Sequence, residues 1–295
     1  MNRCFKIMTD ANSKLTDTPS SEDWAGEMGK KWLSNLSLFE EMVAPIGDVL
    51  LSRAGYQSGE TVIDIGCGGG ATTMAIAKTV APEGSVLGAD ISPDLTDAAR
   101  KRAVEADIKN IEFLCTDAAQ MKLEGEPFDR LFSRFGSMFF ADPVAAFTNM
   151  HNLVGPSGRI DLAVWGPPRE NLWMMEIMAV VRNHIEVPKA IPRSPGPFAY
   201  EDIDYLREIL TGGGFKDIDI IAYDGLQAVG GRGASPQDAA QFASTSLAAG
   251  RLLAEAHPDK QVAAKEGLLK IFKQHHVPGE GVMMRGKAWL VSARA

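Results

Sequence analysis

A chain of 295 residues, 45% of them hydrophobic, can bury one substantial core and is longer than a minimal nucleotide-binding sheet domain requires. The formal net charge of −8 argues against a protein whose main partner is the phosphate backbone of a nucleic acid. The N-terminus lacks the apolar core of a secretory signal, and no apolar run reaches the roughly 18 residues of a membrane span. We therefore expect no membrane insertion and a cytoplasmic location.

The cysteines give no sign of a disulfide framework or a zinc site. Cys4, Cys67 and Cys115 are odd in number, widely spaced and form no C-x-x-C pair. No His, Asp or Cys cluster has the spacing of metal ligands, so we expect no metal cofactor.

The N-terminal part of the chain divides into two segments. Residues 1–23 are rich in Ser, Thr, Asp and Asn without periodicity, and they are predicted to form a flexible arm. Apolar residues then recur at helical spacing, which predicts helices over 24–55, with an interruption at Pro45. A single domain is expected over 24–295.

The middle of the chain alternates short β-branched runs with helical runs, which indicates a parallel sheet with helices on both faces. The strand runs are 61–65, 85–90, 111–117, 128–135 and 159–165. Later runs at 216–224 and 286–294 lack the spacing of βαβ units. We expect them to complete a seven-stranded, mostly parallel, Rossmann-like α/β sheet whose last strand is antiparallel.

Two stretches remain outside this pattern. Residues 166–200 are rich in proline, and residues 226–280 contain an alanine-rich helical pattern. Both follow strand ends or sheet edges, where open α/β folds bind their ligands. They are predicted to form a helical lid that covers the substrate.

The strongest motif is the glycine loop VIDIGCGGG at 62–70, between a predicted strand and a predicted helix. Gly66, Gly68 and Ala71 satisfy the dinucleotide-binding pattern G-x-G-x-x-G/A, so the loop alone leaves the cofactor open. Asp64 lies two residues before the first glycine, and a carboxylate there disfavours a pyrophosphate but favours a cationic ligand. S-adenosylmethionine has no phosphate, and it carries an ammonium and a sulfonium group.

Carboxylates also end the next two predicted strands. Asp90 is predicted to accept hydrogen bonds from ribose hydroxyls, a position shared by both cofactor classes. Asp117 and Ala118 lie where a carboxylate and a backbone amide can bind the adenine edge, although Asp117 could equally cap the following helix. Carboxylates at three successive strand ends form a specific arrangement.

With these motifs, the chain resembles class I methyltransferases of the UbiE-like, ubiquinone/menaquinone-biosynthesis type. The similarity covers roughly 24–225 and the closing strand, including SRFGSMFFADPVAAF from residue 133 onward. The segment WAGEMGKKW at 24–32 is similar to the part that such proteins fold over the cofactor. The resemblance implies S-adenosylmethionine as the cofactor. The implied contacts are Asp64, Gly66, Cys67, Gly68, Asp90, Ile91, Asp117, Ala118, Ser133, Trp24 and Trp32.

Catalytic and substrate-binding residues are less apparent in the sequence. His184, in the predicted cover, is a candidate general base, and Arg134 is a second catalytic candidate at the end of the fourth strand. Phe135, Trp165 and Trp173 are candidates for contact with the acceptor, although large aromatic residues are also typical of a lid core.

The predicted function is transfer of a methyl group to a small-molecule acceptor by in-line displacement, which depends mainly on orientation. Family analogy favours an aromatic or quinone-like acceptor. One alternative is a non-catalytic S-adenosylmethionine-binding protein. Another is an NAD(P)-dependent Rossmann oxidoreductase, disfavoured by Asp64 and by the lack of a Tyr-x-x-x-Lys motif. A nucleic-acid methyltransferase is disfavoured by the acidic charge, and a homodimer is compatible with the sequence.

Overall fold

The computed structural model of the protein describes residues 6–7, 24–187, 189 and 191–295. The predicted arm at 1–23 lies outside these residues, except for Lys6–Ile7. This pair forms strand β1, which pairs antiparallel with β5, Leu123–Glu124.

The main sheet begins with strands that pair in parallel: β2 (Thr61–Ile65), β3 (Ser85–Asp90), β4 (Ile111–Cys115), β6 (Phe128–Arg134) and β7 (Val154–Trp165). The remaining strands are β8 (Lys216–Val229), β9 (His276–Val277) and β10 (Gly281–Arg294). Within the described residues, the order is β4-β3-β2-β6-β7-β10-β8, and β9 pairs with β10.

Strand β10 lies between β7 and β8 and is antiparallel to both. The predicted Rossmann-like α/β class, with an antiparallel last strand, is therefore confirmed. The short strand β9 adds one strand to the seven that the sequence predicts. The central strands are buried on both faces, which explains their nearly continuous apolar sequences.

Helices cover both faces of the sheet and its carboxyl edge. Their bounds are α1 (Glu27–Ser34), α2 (Leu36–Ala54), α3 (Ala71–Val80), α4 (Pro93–Glu105), α5 (Pro143–Leu153), α6 (Leu172–Arg182), α7 (Ile203–Gly212), α8 (Pro236–Thr245), α9 (Ala248–Ala254) and α10 (Pro258–His275). Helices α6, α8, α9 and α10, from the two predicted insertions, pack against one another. No helix in the described ranges has the length and apolar character needed to cross a membrane.

The predicted interruption at Pro45 is wrong, because α2 continues through this residue and the break falls at Asn35 instead. Proline removes one backbone donor, which costs helix stability. The apolar side of α2 offsets this cost because Met42, Val43 and Ile46 are buried against the sheet.

An ion cluster joins the adjacent strands β6 and β7, and we expect its loss to lower stability strongly. Asp161 is fully buried and accepts hydrogen bonds from Arg130 at 2.7 Å and Arg159 at 2.8 Å. Replacing Asp161 with alanine leaves both guanidinium groups without this partner, and we expect the free energy of unfolding to fall by about 3–5 kcal/mol.

Urea unfolding of Asp161→Ala measures this loss. The control is Asp97→Ala, which removes a carboxylate that is 75% exposed and paired with Arg100. We expect that control to change the free energy of unfolding by less than about 1 kcal/mol. Equal effects of the two substitutions would contradict the assignment.

Candidate active site

The loop between β2 and α3, residues 66–70, borders a cavity at the carboxyl ends of the parallel strands. Gly66 has a φ of +67°, and a Cβ built on it would lie 2.5 Å from the Cα of Gly136. Only residues without side chains allow these two backbones to approach so closely. The loop therefore presents its backbone directly to the cavity.

Asp90 lines this cavity at the end of β3, as predicted from its position. Its Oδ2 accepts a hydrogen bond from the Gly68 amide at 2.8 Å, and its Oδ1 accepts one from the Ser92 amide at 2.9 Å. These bonds fix the carboxylate between the glycine loop and the start of α4. Burial raises the pKa of Asp90, although the backbone donors favour the ionised form.

The end of β4 contributes a third wall of the same cavity. Asp117 and Ala118 both line it, together with Thr116, and Ile91 lies beside them after β3. Asp117 also accepts a hydrogen bond from the Ala119 amide at 2.9 Å, so it orders the local turn as well. The structure thus brings together the predicted ribose and adenine positions.

Asp64 lies behind the cavity wall and does not line it. The residue is 1% exposed and accepts hydrogen bonds from the hydroxyls of Thr72 at 3.0 Å and Thr73 at 2.7 Å. Burial raises the pKa of Asp64 from 3.8 to about 6, while the two hydroxyl donors and the nearby Arg134 oppose this increase. Thr72 lines the cavity and separates the Asp64 carboxylate from it.

Two other residues with predicted cofactor contacts have different surroundings. Cys67 lines the cavity, and burial raises the pKa of its thiol well above the ordinary value, which keeps it protonated. Ser133 is fully buried within β6 and does not line the cavity. Its hydroxyl donates a hydrogen bond to the Ile65 carbonyl at 2.8 Å, so it ties β6 to β2.

The two residues at the end of β6 both line the cavity. Arg134 keeps its proton at every ordinary pH, so it can bind an anion but cannot act as a general base. Phe135 has a φ of +64°, which is uncommon for a residue with a side chain. Its ring stacks on Trp165 with ring centres 4.2 Å apart.

Two tryptophans of the N-terminal segment lie beside the glycine loop. Trp32 stacks on Phe39 with ring centres 3.9 Å apart, and Trp24 lies edge-on to Phe139 at 5.1 Å. Both tryptophans line the cavity. Among the described residues, the buried indole N–H of Trp24 has no hydrogen-bond partner.

A second cavity adjoins the first and shares part of its wall. The residues that line both cavities are Trp24, Trp32, Val43, Phe135 and Phe139. Trp165 and Trp173 line the second cavity only, and both predicted insertions contribute to its wall, through 195–197 and 245–248. The lining consists mainly of aromatic rings, methionines and aliphatic side chains.

The candidate base His184 lies just after α6, and it lines neither cavity. A feature that the sequence analysis missed is the ion pair between Glu40 of α2 and Arg102 of α4, with contacts of 2.7 and 2.9 Å. Arg102 also donates to the Gly69 carbonyl at 2.5 Å. The pair therefore fixes the glycine loop, and no local pattern reveals it because its members are far apart in sequence.

The fold and the glycine loop define the class of protein: a Rossmann-like α/β protein with a ligand site at the carboxyl edge of its parallel strands. Residues 62–158, a third of the chain, match the family model of a methyltransferase domain. This match includes the glycine loop, Asp90 and Asp117.

Individual relatives carry the same class in their names. The aklanonic acid methyltransferase DauC of Streptomyces sp. (strain C5) is 33% identical over 120 residues, which are 41% of this chain and 54% of that protein. The ubiquinone/menaquinone biosynthesis C-methyltransferase UbiE of Coxiella burnetii is 27% identical over 122 residues, 41% of this chain and 49% of that protein. The chain thus spans about half the length of the curated relatives it matches.

The fold is also similar to that of solved methyltransferases. Phosphoethanolamine N-methyltransferase 2 of Haemonchus contortus, solved in complex with S-adenosyl-L-methionine, has a TM-score of 0.57 at 16% identity. The alignment covers 94% of this chain and 60% of that chain. The family match and the named relatives confirm a methyltransferase domain over 62–158, and the solved structure shows a shared fold. The UbiE-like subtype remains a prediction.

Proposed function

We propose that the protein binds S-adenosylmethionine in the first cavity and transfers its methyl group to a small molecule in the second. The observation that carries this proposal is the position of the glycine loop, Asp90 and Asp117 around one cavity that opens onto an apolar one. The methyltransferase-domain match over 62–158 supports the same assignment.

The residues present fit this cofactor. The Asp90 carboxylate is held by two backbone donors and faces the cavity, where it can accept from ribose hydroxyls. A side chain at Gly66 would alter the backbone that surrounds the ligand, since its Cβ would collide with Gly136. The charge of Asp64 favours a cationic ligand over a pyrophosphate.

When bound, S-adenosylmethionine supplies an electrophilic methyl group on a sulfonium. The chain contributes orientation, which can lower the barrier substantially without covalent chemistry. Phe135, Trp24 and Trp32 border both cavities, so their rings exclude water where the two ligands meet. Within our proposal, His184 and Arg134 do not serve as bases: His184 lies outside both cavity walls, and Arg134 does not lose its proton.

We further propose an apolar, ring-containing acceptor, of aromatic or quinone-like type. The stack of Phe135 on Trp165, extended by Trp173 at a ring-centre distance of 5.2 Å, supports a planar ligand in the second cavity. The names of DauC and UbiE associate those two relatives with aklanonic acid and with ubiquinone and menaquinone. In this proposal, 166–200 and 226–280 act as the substrate cover.

Incubation with methyl-tritiated S-adenosylmethionine tests this function. A panel of hydroquinones, phenols and aromatic acids would be compared with aliphatic amines and bulk RNA. We expect an extractable tritiated product from at least one ring compound, with S-adenosylhomocysteine formed in equal amount. Label transferred to RNA alone would contradict the acceptor class, and cofactor binding without transfer to any acceptor would favour the non-catalytic alternative.

A charge introduced into the second cavity should separate acceptor binding from cofactor binding. Met174 lines that cavity, whereas its neighbour Met175 is 38% exposed and lines neither cavity. We expect Met174→Glu to raise KM for an apolar acceptor by about tenfold or more, because its carboxylate must be desolvated. The Kd for S-adenosylmethionine should change little. Met175→Glu is the matched control, and equal KM values for the two variants would contradict the assignment.

Because the pKa of Asp64 is raised, we expect the affinity for the cofactor to depend on pH. Its pKa of about 6 means that the carboxyl is mainly neutral at pH 5 and ionised at pH 7.5. We expect Kd for S-adenosylmethionine to be about tenfold higher at pH 5, because the neutral form no longer attracts the cation. Calorimetry at both values measures this change. Asp64→Asn should show a flat profile between them, and a flat wild-type profile would contradict the role of Asp64.

The stability of the unliganded protein should change in the same pH range. Because folding raises the pKa of Asp64, its contribution to stability is fully present below about pH 4 and is lost as the pH rises through about 6. Ionised Asp64 is therefore costly in the free protein, and a bound cation offsets that cost.

A further inference from the structure

An arginine, Arg134, lies in the wall of the first cavity. Within the described part of the chain, the guanidinium of Arg134 makes no hydrogen bond and no ion pair, although it lies in the cavity wall. Burial lowers the pKa of Arg134, and the carboxylates of Asp64, Glu40 and Asp48 oppose this decrease through space. Arg134 is half-buried, and a partly desolvated cation without a direct partner is costly, so a bound anion would stabilise it.

Two of the carboxylates that act on Arg134 through space are hydrogen-bonded to other groups. Glu40 accepts both of its short contacts from Arg102, at 2.7 and 2.9 Å. Asp64 accepts from two threonine hydroxyls on α3. Neither carboxylate hydrogen-bonds to Arg134, so the donors of this guanidinium remain available to a ligand in the cavity.

Gly47, in the middle of α2, leaves the space that Arg134 occupies. A Cβ built at Gly47 would lie 2.8 Å from the Arg134 Nη1 and 3.1 Å from its Cδ. Glycine inside a helix is less favourable than alanine, so this position reduces helix stability. The space for the arginine gives a physical reason for a glycine here.

We propose that Arg134, placed by Gly47, binds the carboxylate of the ligand's amino-acid part. This inference rests on the proposed function, since S-adenosylmethionine carries one carboxylate beside its cationic groups. Asp64 and Arg134 lie on the adjacent, parallel-paired strands β2 and β6. A buried anion and a half-buried cation at neighbouring strands match the opposite charges of a zwitterion. The planar guanidinium can donate two parallel hydrogen bonds to a carboxylate.

The test compares S-adenosylmethionine with decarboxylated S-adenosylmethionine, which keeps the adenosine, the sulfonium and the amine. Calorimetry with the wild-type protein should give a Kd about 100-fold higher for the decarboxylated ligand, the loss expected when a buried charge pair loses one partner. In Arg134→Gln, the two Kd values should agree within about threefold, because the carboxylate of S-adenosylmethionine no longer has a guanidinium to bind. Arg169→Gln, a control whose side chain is 77% exposed, should keep the wild-type ratio.

Gly47→Ala tests whether Gly47 positions Arg134. The measurement is again the Kd for decarboxylated S-adenosylmethionine divided by the Kd for S-adenosylmethionine. We expect the ratio of the two Kd values to fall to about tenfold, because the new methyl group displaces the guanidinium. The unfolding midpoint should not fall, since alanine favours the helix. A merely structural effect would weaken both ligands equally and leave the ratio unchanged, which would contradict the role of Gly47.

The wild-type measurement keeps the inference falsifiable even if Arg134→Gln does not fold. Equal wild-type affinities for the two ligands would overturn the role of Arg134 and leave the proposed function intact. An Arg134→Gln protein that folds and keeps the wild-type ratio would do the same. Failure of folded wild-type protein to bind either ligand would overturn the proposed function, and this inference with it.

Discussion

Replacing Gly66 with alanine is expected to abolish measurable binding of S-adenosylmethionine. The new Cβ would lie 2.5 Å from the Cα of Gly136, so the β2 and β6 ends must separate. The φ of +67° adds about 1–2 kcal/mol of backbone strain for any residue with a side chain. Because both strand ends line the cofactor cavity, we expect at least about a 100-fold loss of affinity, equivalent to about 2.7 kcal/mol.

Gly233→Ala is the matched control for this substitution. Gly233 has a nearly identical φ of +70°, but a Cβ built on it meets no atom within 4 Å. The control therefore carries the same backbone strain without the collision, far from the glycine loop in sequence. We expect it to lower stability slightly and to bind the cofactor normally. Equal affinities of the two variants would contradict the importance of the close approach at Gly66.

Replacing Asp90 with asparagine is expected to weaken cofactor binding by about 100-fold. The two carboxylate oxygens accept from the amides of Gly68 and Ser92, so an asparagine must point its NH₂ group at one of these donors. The substitution also removes the charge that strengthens hydrogen bonds from the ribose hydroxyls. The glycine loop loses an anchor and the ligand loses an acceptor at the same time.

Calorimetry with S-adenosylhomocysteine measures this effect without turnover. Asp97→Asn is the control, because Asp97 is 75% exposed and pairs with Arg100 on the surface of α4. We expect this control to keep the wild-type Kd within about twofold. If Asp90→Asn also kept it, Asp90 would not hold the ribose, and the assignment of the first cavity would be wrong.

The positions of residues at or just after strand ends could be predicted from the sequence. Gly66, Asp90 and Asp117 all lie around one cavity, because the carboxyl ends of parallel strands meet at one edge. Their positions depend on local patterns: a strand, a turn and the start of a helix. Such patterns are readable without knowledge of distant contacts.

Residues inside strands were harder to place. Asp64 and Ser133 lie within β2 and β6, so their side chains face the buried sides of the sheet instead of its edge. The threonines that donate hydrogen bonds to Asp64, and the Ile65 carbonyl that accepts one from Ser133, come close to them only after the strands and α3 pack. The predicted contacts of these two residues with the cofactor would therefore be indirect.

Long-range pairs gave no signal in the sequence. The space that Gly47 leaves for Arg134 and the pair between Glu40 and Arg102 join α2 to distant parts of the chain. The continuity of α2 through Pro45 has the same origin, because burial against the sheet outweighs the missing backbone hydrogen bond. Tertiary packing determines these features, and local sequence patterns carry no information about it.

The central claim is that the first cavity binds S-adenosylmethionine, and isothermal titration calorimetry of the purified protein tests it most directly. Three ligands would be titrated: S-adenosylmethionine, S-adenosylhomocysteine and NADH. Our account predicts saturable binding of the first two with one site per chain, and no binding of NADH. Saturable NADH binding, with no heat from the other two ligands in a protein shown to be folded, would contradict it.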